Sequence, residues 1–208
     1  MEIYYPAYRN QQVVIHTDNS HIAKSYTRGK FYEQPLLEHL LQFSGTFLDI
    51  GAHVGNHSVF LSLFGGYKRI VSIEPCPEHY RTLLANIRTN KCNNISPYNL
   101  AATDRVCRFN INRTGPNDGA YSLTNGLEVQ GLPMSTLIDT VDVIKYDVEG
   151  HEPRSLAGTA SLIDRCKPRI YIELNSNVDH IKTFLKQHGY SLKTIFRMGS
   201  PVGEFLCH

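Results

Sequence analysis

A chain of 208 residues, 41% apolar and 19% charged, is long enough to form one domain with a substantial core. Its formal net charge of +2, with no run of five like charges, gives no electrostatic basis for strong nucleic-acid binding or for attachment to an anionic membrane. Five scattered cysteines, none in a C-x-x-C pair, argue against a zinc or disulfide framework and fit a reduced, cytoplasmic setting.

Residues 1–32 are aromatic and polar, with a strand-like Val13-Val14-Ile15 and no basic start leading into an apolar leader. Pro35 sits in the first turn of a helix through Leu41, whose apolar residues recur at three and four. We read residues 1–45 as a lid and helix segment and 46–208 as the core of a single domain. Tyr26, Tyr32 and Glu33 lie over a ligand mouth or are ordinary surface; the sequence leaves both open. No apolar run approaches membrane-spanning length.

The stretch Thr46–Ser58 reads as a buried strand, a glycine turn and a helix from Asn56 to Phe64. That is how an α/β fold presents a nucleotide-like ligand at a strand's carboxyl end. A dinucleotide fingerprint would place a second glycine where His53 stands, so pyrophosphate has no room against the backbone. The looser Gly51-Ala52-His53-Val54-Gly55 loop suits S-adenosylmethionine, which has no phosphate. A second strand, Arg69–Pro75, ends in Glu74, whose carboxylate can accept from both ribose hydroxyls. Pro77 opens the next helix, which stops at the asparagine-rich turn 90–94. Ile95 to Ala102 reads as a third strand, weakened by Pro97, whose small final residues Ala101 and Ala102 leave room for adenine or simply pack closely. Residues 105–135 break the alternation, with a strand-like Arg108–Asn112 and loop chemistry at Gly115–Gly119, where an acceptor pocket would be shaped.

A buried strand from Val141 ends at Asp147, Gly150 turns the chain, and Pro153 begins a helix to about Arg165. Asp147, Glu149, His151 and Glu152 crowd that turn at the same sheet edge as Gly51, which favours a catalytic edge. Strand alternation puts Lys145 on the side of Asp147, where it can hold the carboxylate. Either Asp147, by position, or His151, by its usual near-neutral pKa, is the candidate base. A divalent ion on Asp147 and Glu173 is conceivable but not indicated. Arg169–Leu174 is a fifth strand. A helix from Val178 stops at Gly189, and Ser191–Arg197 and Glu204–Cys207 form a final antiparallel pair.

Phe47-Leu48-Asp49-Ile50-Gly51-Ala52-His53-Val54-Gly55, Ser72-Ile73-Glu74-Pro75 and Ile144 through Glu152 together resemble the FkbM-like methyltransferases, over about Gly29 to Tyr190. The resemblance implies a Rossmann-like class I methyltransferase α/β fold: seven strands, mostly parallel with the last antiparallel, and helices on both faces. It implies S-adenosylmethionine-dependent methylation of a hydroxyl on a sugar, such as a deoxyhexose in a glycan, or on a natural product. It carries cofactor roles to Asp49, Gly51, Gly55, Asn56 and Glu74 and points to the Asp147–Glu152 turn for the acceptor. With the reading of the residues themselves, the cofactor set also takes in Ala52, His53, Pro75, Ala101, Ala102 and Asp147. The catalytic set is Asp147, His151, Lys145 and Glu149. Two rivals are an RNA methyltransferase acting on ribose 2′-hydroxyls and a non-enzymatic cofactor-binding domain.

Overall fold

The computed structural model describes residues 2–113, 121–198 and 200–207. Its main sheet has seven strands: β1 (Ser44–Ile50), β2 (Gly66–Ile73), β3 (Ile95–Tyr98), β4 (Val143–Tyr146), β5 (Arg169–Glu173), β6 (Tyr190–Met198) and β7 (Ser200–Cys207). Their order is β3-β2-β1-β4-β5-β7-β6, with β7 antiparallel to both neighbours and the other pairings parallel. The chain builds outward from β1 to β3 and then returns to place β4 on the other side of β1. That reversal opens a crevice at the carboxyl ends of β1 and β4.

Alternation along the strands splits the core in two. Leu48, Ile50, Ile144 and Tyr146 face α5 (Glu152–Cys166) and α6 (Val178–Gln187). Phe47, Val143 and Tyr171 face α2 (Gln34–Leu40) and α3 (Asn56–Phe64), so helices cover both faces as expected. On that second face the register aligns Glu204, Tyr171, Lys145, Asp49 and Ser72 across β7, β5, β4, β1 and β2. All five are buried, which forms a polar row under the strand ends.

Three expectations need correction. Ile95–Ala102 is not one strand. β3 stops at Tyr98, and Ala101–Ala102 instead pairs in parallel with Gly131–Leu132 in a separate four-stranded sheet. The Asn99 side chain donates to the carbonyls of Glu74 and Pro75 (2.9 Å each), which holds the chain in a turn where a continuing strand would run straight on. Pro97 stands on an edge strand, where a missing N–H is tolerated. Val14 is not in a strand; its N–H and C=O are both taken by the Asn90 side chain (3.1 and 2.7 Å), and the strand runs from Ile15 to Thr17 against Glu2–Tyr4. The polar stretch before Pro35 contains a helix, α1 (Ser20–Tyr26), capped by Asn19 through the N–H groups of His21 and Ile22.

The strand expected at Arg108–Asn112 forms, as Cys107–Arg113, and pairs with Tyr121–Asn125 and Val129–Leu132. The Gly115–Gly119 stretch lies outside the described residues. Among the described residues no helix is long and apolar enough to cross a membrane.

Candidate active site

Gly51 ends β1 at φ +83°, and a Cβ there would lie 1.8 Å from the Asp147 carbonyl oxygen. The turns after β1 and β4 thus meet backbone to backbone, and the glycine is demanded by that contact before any ligand arrives. Gly55, at φ +90°, packs on Leu83 in α4 (Pro77–Thr89), where a Cβ would lie 2.6 Å from Cδ1. Between them, His53 is held at φ 51°; its N–H donates to Glu74 Oε2 (2.7 Å), and Cys76 N–H donates to Oε1 (2.8 Å). Two backbone donors therefore fix the Glu74 carboxylate, while each oxygen keeps a lone pair for a further donor.

These turns wall a cavity of about 400 Å³. Of the residues read from sequence, Gly51, Ala52, His53, Asn56, Glu74, Pro75, Ala101, Ala102, Lys145, Asp147, Glu149 and His151 line it. Asp49 and Gly55 do not. Asp49 is fully buried beneath the wall, where Oδ2 accepts from Ser58 Oγ (2.6 Å) and Oδ1 faces Lys145 Nζ at 3.8 Å. Asn56 reaches the cavity, but its amide is spent on the N-terminal segment: Oδ1 accepts from the Tyr26 hydroxyl (2.8 Å) and Nδ2 donates to the Tyr32 carbonyl (2.9 Å).

Lys145 does hold Asp147, with Nζ 3.1 Å from Oδ2. The lysine side chain is 4% exposed and the aspartate 34%, so the carboxylate is the member of the pair that a ligand can reach. Burial alone would lower the Lys145 pKa, but the carboxylates of Asp147, Asp49 and Glu33 hold it above the ordinary lysine value. Burial pushes Asp147 up, yet Lys145 more than offsets this and keeps it below the usual carboxylate range. Glu149 moves the other way, raised by burial and then by Asp147 and Glu152.

His151 does not keep the near-neutral pKa expected of it. Burial, then Arg154, pushes it down to about 4, so the ring is uncharged at neutral pH and a weak base. Thr103 Oγ1 donates to Asp104 (3.0 Å) and can therefore only accept from His151 Nε2–H (3.3 Å), which leaves Nδ1 as the open lone pair. Glu152 is likewise not part of the catalytic edge. It is buried at the start of α5, where it accepts from Gly150 N–H (3.1 Å). Among the described residues no three metal-ligating side chains converge.

The cavity also takes in His21, His57, His79, Tyr121 and Asn175, which sequence reading did not select. His57 had a local signal as the second residue of the helix after Gly55. His79 lies on the helix opened by Pro77 but had no signal of its own, and His21, Tyr121 and Asn175 come from segments with no periodic or motif signature.

The donor set suits S-adenosylmethionine. Glu74 offers acceptors to ribose hydroxyls, Ile73 and Ala102 offer apolar surface to a purine, and the carboxylates of the wall suit a sulfonium and an ammonium. The buried His53 Nε2 has no hydrogen-bond partner among the described residues. The strand order, the lone antiparallel β7 and this cavity at the β1/β4 reversal define a class I methyltransferase architecture. The FkbM methyltransferase domain matches residues 49–192, and the chain belongs to that family, whose methyl donor is S-adenosylmethionine.

Among solved structures, the fold is similar to an FkbM methyltransferase from Methylobacillus flagellatus KT (23% identity, TM-score 0.61), aligned over 80% of this chain and 45% of that one. The chain thus spans less than half of that relative. M. jannaschii TYW2 in complex with AdoMet (14%, TM-score 0.51) aligns over 99% of this chain and 87% of its own. Precorrin-6y C5,15-methyltransferase from Geobacter metallireducens GS-15 (16%, TM-score 0.54) aligns over 85% and 87%. At these identities the likeness is one of fold. Among curated proteins, none matches the chain significantly.

Proposed function

We propose that the chain is an O-methyltransferase whose acceptor is a hydroxyl group of a sugar, such as a deoxyhexose of a glycan, or of a natural product. The observation that carries this reading is the Asp147 carboxylate, fixed by Lys145, reachable from the cavity, and joined to the Gly51 turn through its own backbone. Bound S-adenosylmethionine supplies an already activated methyl group. What remains for the protein is to align an oxygen with it and accept a proton. Alignment of this kind is worth roughly 7–11 kcal/mol in favourable cases.

Asp147 accepts a hydrogen bond from the acceptor hydroxyl and sets its direction. Lys145 is a positioning residue that keeps this carboxylate ionised and in one rotamer. We assign the proton acceptor to Glu149, which lines the cavity beside Asp147 with its pKa raised by burial, while burial pushes His151 down to about 4. Tyr32 and Glu33 close the cavity from the N-terminal side, which supports the lid role of that segment within a single domain.

The assignment separates the two bases. Glu149→Gln should lower kcat about 100-fold or more, within the roughly 10²–10⁴ expected of a positioned base. His151→Gln should leave the acid limb of the pH–rate profile where it is, because a group titrating near 4 is already neutral throughout pH 5–8. A Glu149→Gln enzyme with full turnover, or loss of an acid limb near pH 6.5 in His151→Gln, would return the role to the histidine.

A further inference from the structure

The inference rests on the methyl-transfer reading and deepens it by naming the acceptor's chemistry. Among the described residues lining the cavity, the carboxylates are Glu33, Glu74, Asp147, Glu149 and Glu173, and the only lysine or arginine is Lys145. Two backbone N–H groups already hold Glu74, and Lys145 is committed to Asp147 and Asp49. An ionised carboxylate accepts hydrogen bonds and cannot donate them. Five histidines (His21, His53, His57, His79 and His151) also line the cavity, but carboxylates outnumber the fixed cations, and that balance favours O–H or N–H groups over phosphate.

Glu33 makes the case specific. It arrives from the N-terminal segment, far upstream of the turns that form the rest of the wall. Its backbone is held at φ 54°, a left-handed conformation unusual for a residue with a side chain, at the start of α2. Asn56 secures the segment on either side of α1's exit, through the Tyr26 hydroxyl and the Tyr32 carbonyl. Both Glu33 and His57 have side chains only 7% exposed, and His57 Nε2 lies 3.3 Å from Glu33 Oε2. His57 is thus the ion-pair neighbour of Glu33 at the cavity wall. A further void of about 10 Å³ touches Glu33, Lys145, Asp147 and Glu173, so these groups share one polar recess.

We infer that Glu33 is an acceptor-binding residue, and that with Asp147 it selects an uncharged polyhydroxylated acceptor over a phosphorylated one. Glu33 and Asp147 each accept from a hydroxyl of the acceptor, which fixes its orientation. A phosphate in the same place would set its negative charge against Glu33 and Asp147, which disfavours it.

The test uses the full chain, methyl-labelled S-adenosylmethionine and a cell extract treated to strip O-methyl groups, split by anion exchange into unretained, sugar-phosphate and RNA fractions. Label should enter the unretained fraction at least tenfold above either retained one. In that fraction, Glu33→Gln should raise the apparent KM at least tenfold, with the affinity for S-adenosylmethionine, read by calorimetry, within about threefold of the parent. Label mainly in the phosphorylated or RNA fractions would overturn the inference and leave methyl transfer standing. Unchanged kinetics of a folded Glu33→Gln would overturn the role of Glu33. Cofactor binding with no label in any fraction would overturn the transfer reading and this inference together. The fraction profile of the unmodified chain decides the selectivity even if Glu33→Gln does not fold.

Discussion

Gly51→Ala will destabilise the protein by about 3 kcal/mol or more and abolish cofactor binding. Two independent costs add at this position. The residue sits at φ +83°, where a side chain alone costs on the order of 1–3 kcal/mol. The new methyl would also lie 1.8 Å from the Asp147 carbonyl oxygen, a backbone atom that cannot rotate away. Relief requires β1 and β4 to part at their ends, which separates the cofactor turn from the acceptor turn. Urea denaturation reads the first effect and calorimetry with S-adenosylmethionine the second. Gly55→Ala is the informative comparison, because there the clash is with the flexible Leu83 side chain. It should cost distinctly less. Equal losses at the two positions would show that the backbone contact is not the controlling feature.

Lys145→Met should be the most damaging substitution on the acceptor side. It removes the cation from a buried group that includes Asp49 and Asp147, and Asp49 is fully buried with no solvent to replace the lost charge. Breaking a buried pair by removing one partner costs about 3–5 kcal/mol. The catalytic effect has a defined sign. Lys145 keeps the Asp147 pKa below the ordinary value, so its loss lets burial raise that pKa. Activity that needs the ionised carboxylate will then begin to fail at a higher pH on the acid side. A stable Lys145→Met with an unmoved acid limb would contradict the positioning role. Arginine at 145 would keep the charge but not the reach and packing of the ammonium, and should restore stability only in part.

The fold was legible where structure is local and periodic. The strand, glycine turn and helix at 46–64, the acid that ends β2, and the helices opened by Pro77 and Pro153 all stand where the pattern put them. The alternation in β4 correctly put Lys145 beside Asp147. The features that escaped depend on partners distant in sequence. Val14 looks like a strand residue until Asn90 takes both of its backbone groups. Ala101–Ala102 continues β3 in sequence but pairs with Gly131–Leu132 in space. His151 has an ordinary intrinsic pKa, and only its burial and Arg154 reveal that it is a poor base. Glu33 was placed near the ligand mouth or on the surface, and only its position beside Lys145 and Asp147 shows which.

The central claim is methyl transfer to a hydroxyl, and the most direct measurement is the position of the label in the product. The labelled product from the full chain and methyl-labelled S-adenosylmethionine would be isolated, hydrolysed in mild alkali, and examined by NMR for an O-methyl ether. The account predicts a base-stable methyl ether on a carbinol oxygen, lost in Asp147→Asn. A methyl on nitrogen or carbon, or a methyl ester released by alkali, would contradict it.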